Sequence, residues 1–223
     1  MKFYITLIAL ITAATSFAQN PITRDVGDFT EVKEYDRIMV NLVRSDENKV
    51  VITGEDASQV QVINKNGKLK IRMDFGLIFN GNKTFVHVHY NNLEIIDGNE
   101  GAEITSNELI EQDRIEIKMQ EGAVIKVGLQ VQEIKLRAVT GGVIMASGQA
   151  QRQEVTVSTG GHYEGEDLIT ESAHIFVQAG GEVEAYASKL ADITIRAGGD
   201  VVVYGKPAEV KRKRTFGGRI KIM

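Results

Sequence analysis

A pair of glycines that returns every 18 to 21 residues constrains this chain more than any other feature. The stretch VQAGGEVEAYAS (177–188) is nearly repeated as IRAGGDVVVYGK (195–206). The pair recurs in VTGGVIMAS (139–147), STGGHYEG (158–165) and FGGRIKIM (216–223). With the second glycine, or the alanine that replaces it, as the fixed point, the units align at Ala102, Ala123, Gly142, Gly161, Gly181, Gly199 and Gly218. A period near 20 residues marks a solenoid, in which each unit buries its apolar face by stacking on the next.

Columns of the alignment show that the unit is extended. Two residues after the fixed point stand Ile104, Ile125, Ile144, Tyr163, Val183, Val201 and Ile220, and two further on Ser106, Val127, Ala146, Gly165, Ala185, Val203 and Ile222. Ahead of the glycines run Ile96, Ile117, Leu136, Val155, Ile175 and Ile193, then Gly98, Met119, Ala138, Val157, Val177 and Ile195. Apolar or small residues alternating with polar ones is the period of a half-buried strand. Each unit thus holds two short strands about a glycine corner, and a third segment with Leu109, Val131, Leu168 or Leu190 closes the turn. About 20 residues at about 3.3 Å each give a contour of about 65 Å, too short for a helical hairpin. The expected fold is an all-β, parallel β-solenoid of six to seven coils, preceded by a small β layer. The glycine pair then answers a structural need, a corner with positive φ or close backbone approach.

The expected organisation is a signal peptide over 1–18, a flexible stretch over 19–29, a capping β layer over 30–90 and the repeats over 91–223. Lys2, the apolar run Phe3 to Ala14, and the small residues Ser16 and Ala18 form the export signal, with cleavage after Ala18. Its run is too short to span a bilayer, and no second run is long enough for a transmembrane segment in the mature chain. The expected location is periplasmic, cell surface or extracellular. Within 30–90, YDRIMVNLV, NKVVITG, GKLKIRM and TFVHVHY alternate as strands, with Asn66-Gly67 as a hairpin turn. The absence of cysteine excludes disulfides and thiolate chemistry. A net charge of −4 argues against nucleic acid as a partner. Lys211 to Arg214 place Arg212 and Arg214 at inward positions of the last unit, a charged edge against further pairing.

These residues resemble the head GIN domain family of autotransporter-adhesin type. The resemblance rests on YDRIMVNL, on KVVITGEDASQVQVINKNGKLKI, on the glycine-corner repeats, and on VYGKPAEVKRK before the final GGRIKI. It spans roughly residues 30 to 223 and implies a secreted or envelope β-solenoid, of a family with no established enzymatic activity. The corners here read NEGA, QEGA, VTGG, STGG, QAGG and RAGG, in place of the Ser-Gly-Ser-Gly-Asp corner usual in the family.

Candidate function lies in the outward columns. Stacked in register, His162, Glu182 and Asp200 form a line, and Glu164 neighbours Glu184. Such an acidic ladder suits a ligand or a hard cation such as Ca²⁺, and equally makes a solvated acidic face. Tyr186 and Tyr204 are placed to stack on sugar rings or on each other. His87 and His89 share one face of a strand but lack further ligands by spacing, and Glu116, Lys135 and Glu154 alternate in sign for pairing across coils. Catalytic motifs are absent, and no cofactor or metal is expected. The leading expectation is a non-enzymatic binding or adhesion-type protein for a glycan, an envelope polymer or a protein. A periplasmic structural or stress-related protein is the second reading, and a carbohydrate-active enzyme using His162 and Glu182 the third. The oligomeric state stays open.

Overall fold

The computed structural model describes residues 20–223. The signal-peptide reading of residues 1–18 lies outside the described residues. The described chain forms eighteen strands and two short 3-10 turns, wound as a parallel β-solenoid of about seven turns.

Two long parallel ladders run along the stack. The first, ahead of the glycine corners, consists of β6 (Lys68–Met73), β2 (Glu31–Glu34) and β8 (Ile95–Gly98), and of the second halves of β9 (Glu103–Gln120), β10 (Val124–Val139) and β11 (Val143–Ser158). It ends in β13 (Leu168–Gln178), β15 (Leu190–Arg196) and β17 (Glu209–Thr215). The second, after the corners, consists of β7 (Thr84–Tyr90), β3 (Met39–Arg44) and the first halves of β9, β10 and β11. It ends in β12 (His162–Gly165), β14 (Glu182–Tyr186), β16 (Asp200–Tyr204) and β18 (Arg219–Ile222).

The aligned columns are the registers of these ladders. Ile96, Ile117, Leu136, Val155, Ile175 and Ile193 oppose one another in sequence, and all are buried. Arg212 and Arg214 then oppose Ile193 and Ile195, exposed at the last rung. A third, short face pairs Ile110 with Leu129, and Gly148 with both Leu129 and Leu168. One expected core position moves: Leu109 is 51% exposed and Ile110 is buried instead. Leu109 opposes Gly128 on the outside, where its side chain covers the space that glycine leaves open.

Each corner is a two-residue turn with both φ values positive, as in a type I′ turn. Thr140 (50°) and Gly141 (73°) are representative. At the next position the need is space, since a Cβ on Gly142 would lie 2.1 Å from the Met119 carbonyl oxygen.

The segment 30–90 supplies both parallel and antiparallel rungs. The β2–β3 coil stacks between β8–β9 on one side and β6–β7 on the other. Around that outer coil, β4 (Lys49–Gly54) runs antiparallel to β7 and β5 (Val60–Lys65) antiparallel to β6. Within the stretch expected to be flexible, residues 22–25 form β1 (Ile22–Asp25), whose backbone groups pair antiparallel with the free edge of β4. Between β6 and β7 the tight corner is replaced by a loop over residues 74–83, which contains a 3-10 turn at Phe75–Leu77. Asp36, buried at the neighbouring corner, holds that loop: its carboxylate accepts the Met73 and Phe79 N–H groups at 3.0 Å each.

Two polar features interrupt the apolar core. Glu34 on β2 is fully buried and its carboxyl oxygens have no hydrogen-bond partner among the described residues. Burial first, and then the nearby charge of Asp97, pushes its carboxyl well above the usual carboxylate range. Further along, the Tyr163 hydroxyl donates to Gln153 Oε1 at 2.9 Å, and Gln153 Nε2 donates to Thr170 Oγ1 at 2.9 Å and to the Tyr186 carbonyl at 2.8 Å. Gly165 makes room for this ring, since a Cβ there would stand 2.1 Å from the Tyr163 Cζ.

Candidate binding surface and cleft

The registers bring the candidate residues together. His162 opposes Glu182, Glu182 opposes Asp200, Glu164 opposes Glu184, and Tyr186 opposes Tyr204. All alternate with the buried Tyr163, Val183 and Val201 and therefore point outward.

Charges along this face are partly compensated. His162 lies between two carboxylates, with Nε2 3.2 Å from Glu164 Oε1 and Nδ1 3.4 Å from Glu182 Oε2. Asp200 accepts a bidentate pair from Arg219, Nε to Oδ1 at 2.7 Å and Nη2 to Oδ2 at 2.6 Å. That guanidinium holds the Asp200 carboxyl below its usual range. In the neighbouring column Lys135 meets Glu154 at 3.8 Å, while Glu116 pairs with Lys118 on its own strand at 3.2 Å. His87 lies 3.5 Å from the Asn41 amide, and His89 is held below the usual histidine range by burial and by Lys49.

Glu184 behaves differently from its neighbours. Its carboxyl is raised by burial and then by the nearby Glu166. Glu166 Oε2 is buried and has no hydrogen-bond partner among the described residues. The charge of Glu184 in turn raises the Tyr204 phenol. Both tyrosines are half-buried, and the Tyr186 ring occupies space beside Gly205 that a Cβ there would contest.

The ladder borders a cleft of about 540 Å³. Its polar lining includes Thr105, Ser106, Asn107, Lys126, Glu164 and Glu166, over a floor with Val127, Met145 and Ala146. Unequal coil length makes this cleft. Between Thr105 and Leu109 the chain takes four steps where β10 takes two from Lys126 to Gly128, so β9 bulges outward by two residues. Between Glu164 and Leu168 it takes four steps where β11 takes three from Met145 to Gly148. The shorter coils lie recessed between those two. Its four rungs span about 14 Å at about 4.8 Å per strand spacing.

Sequence reasoning did not single out Glu166 or the cleft. The available signal was the period itself, since the fixed points Ala102 to Ala123 and Gly161 to Gly181 are the two longest spacings.

Solved structures share this architecture. A protein described as a putative adhesin from Bacteroides fragilis superposes with a TM-score of 0.83 at 19% identity, covering 92% of this chain and 98% of its own. A protein from Parabacteroides distasonis described as a putative lipid binding protein gives 0.68 at 18% identity, covering 92% and 97%. A putative adhesin from the same species gives 0.73 at 18% identity, covering 92% and 96%. No curated protein matches the chain. The family model described as "Putative auto-transporter adhesin, head GIN domain" matches residues 28–207, and the chain belongs to that family.

Proposed function

We propose that the protein is exported and acts, without catalysis, as a binding protein whose cleft and acidic ladder receive a glycan. The observation that carries this reading is the cleft itself. At about 540 Å³ it falls within the size range of ligand sites, and it sets hydroxyls, an amide, carboxylates and one lysine around a small apolar floor. Such a lining matches the alternating hydroxyls and C–H faces of a sugar better than an acyl chain. Tyr204, beside Glu184, extends it along the ladder with an aromatic surface. Family membership and adhesin-described structural neighbours support a binding role, and the lipid-binding description of one neighbour supports ligand capture more generally.

The location sets which glycans are reachable. Protease shaving of intact cells, with a periplasmic protein as control, is expected to remove this protein while the control survives. Full protection would overturn the adhesion reading and turn the search to periplasmic partners. Mass spectrometry of a bound oligosaccharide after prolonged incubation should show it unchanged, whereas cleavage products lost in Glu182→Gln would overturn the non-catalytic reading.

A further inference from the structure

The outer coil at the N-terminal end carries a second surface, at a different corner of the solenoid from the cleft. The loop over residues 74–83 takes the place of the tight corner between β6 and β7, and it turns its apolar side chains outward. Phe75 is 90% exposed, Phe79 51% and Ile78 38%. Beside it, the outer face of the β5–β6 hairpin presents Lys65, Lys70 and Arg72 together with the exposed Ile63. The two features are contiguous: Lys70, Arg72, Phe75 and Ile78 line one hollow, and Ile63, Lys65, Lys70 and Arg72 line the next.

The three cations of this surface, Lys65, Lys70 and Arg72, make no direct ion pair among the described residues, and Arg72 donates only to Gln61, at 3.0 Å. Lys68 is paired with Glu31. Two carboxylates border the hollow. Asp36 is consumed by the Met73 and Phe79 amides, and Glu100 is raised by burial and by Asp36. On a chain of net charge −4 this is a local excess of cations next to exposed phenylalanines; the C-terminal end carries another, where Phe216, 88% exposed, follows Lys211 to Arg214.

Aromatic side chains rimmed by lysine and arginine match the interface of an anionic bilayer, where rings sit at headgroup depth and cations meet phosphates. An acidic protein partner would also meet the free cations, and it is the reading left if neither kind of vesicle binds. We infer that this end of the solenoid docks peripherally on an anionic phospholipid surface, with Phe75, Ile78 and Phe79 inserted and Lys65, Lys70 and Arg72 on the headgroups. Asp36 fixes the loop in its presenting shape, so little ordering is left for the moment of binding.

The test is co-sedimentation of the protein freed of residues 1–18 with phosphatidylglycerol vesicles and with phosphatidylcholine vesicles. Binding to the anionic vesicles alone is expected, weakening as salt rises. Phe75→Ser with Phe79→Ser should reduce partitioning about a hundredfold, at about tenfold per buried ring. Lys70→Gln with Arg72→Gln should reduce it about fivefold per charge removed. All four side chains are exposed, and unchanged circular dichroism and melting would confirm intact folding. No sedimentation with either lipid would overturn the inference. So would binding insensitive to the serine pair, or equal retention of that variant and the wild type on soluble dextran sulfate, which would assign the surface to a charged polymer.

Discussion

At its N-terminal end the stack is closed by β1, β4 and β5, which run antiparallel around the outer coil, whereas at its C-terminal end β17 and β18 remain parallel and face outward with no further strand among the described residues. Both ends face the same difficulty, a row of unpaired backbone groups and a cross-section of apolar core. The first end answers with additional chain, and thereby gains a long loop and a hairpin face that carry exposed apolar and basic residues. The second answers with charge, Arg212 and Arg214 standing where isoleucines stand one rung earlier, and carries Phe216, 88% exposed, at its last corner. One stack can thus be ended by added chain at one end and by charged side chains at the other.

The sharpest way to break this comparison is at Asp36, the anchor of the N-terminal loop. Asp36→Ala leaves two backbone N–H groups unpartnered. At about 1.5–3 kcal/mol for a bond to a charged acceptor, a loss of about 3 kcal/mol or more is expected in denaturant unfolding. Arg214→Ala at the other end should leave the unfolding midpoint unchanged. Equal losses at both would mean that the ends are not built differently.

In the middle of the stack, Gly165→Ala drives a methyl into the Tyr163 ring, an overpacking cost of about 1–3 kcal/mol. Tyr163→Val removes the clash, since the flanking rungs hold Ile144 and Val183 at that column, but it also leaves Gln153 Oε1 without its donor. Adding Gly165→Ala to Tyr163→Val should therefore cost less than Gly165→Ala alone costs the wild type. An equal cost of Gly165→Ala in the two backgrounds would show that backbone strain, and not the ring, sets it.

Glu34 makes the outer coils sensitive to pH in a definite direction. Its folded carboxyl titrates well above the unfolded value of 4.5, so the native state holds a proton that the unfolded chain releases. Its contribution is fully present below pH 4.5 and declines as pH rises from there through the folded value, by about 1.4 kcal/mol per pH unit. Glu34→Gln removes that slope, and the difference between the two unfolding curves should widen from pH 5 upward. A constant difference would show that Glu34 is ionised in the fold.

The smallest effect on stability, and the most informative about the C-terminal end, comes from Arg212→Val with Arg214→Val. These substitutions complete the apolar columns of the last rung and should raise the apparent mass in light scattering relative to the wild type by edge-to-edge pairing. An unchanged mass would mean that strand geometry, not charge, protects the edge.

Much of this architecture was legible because the repeat reports itself many times over. One valine or glycine says little, but Ile117, Leu136 and Val155 in one column fix a register, and the observed ladders follow it residue by residue. The outward faces of His162, Glu164, Glu182, Glu184 and Asp200 followed from the same phase. What alternation does not encode is where the coil departs from its mean length, and there the reading stopped short. The bulge at Ser106, the turn at Glu166 and the loop at 74–83 are all insertions relative to the repeat, and they shape the cleft and the apolar end. Leu109 was misplaced for a related reason: beside the bulge, an apolar residue covers a glycine from outside instead of entering the core. Nor does a pattern of polar and apolar letters show that Glu34 or Gln153 stands inside, where each takes a position of the buried face.

The central claim, that the cleft bordered by the acidic ladder is a glycan-binding surface, is tested most directly by a glycan array probed in parallel with the wild type and with Glu164→Ala, Tyr204→Ala. A defined set of glycans retained by the wild type and lost from the variant is the predicted result. Identical retention by both proteins, or no retention of any glycan by the wild type, would contradict it.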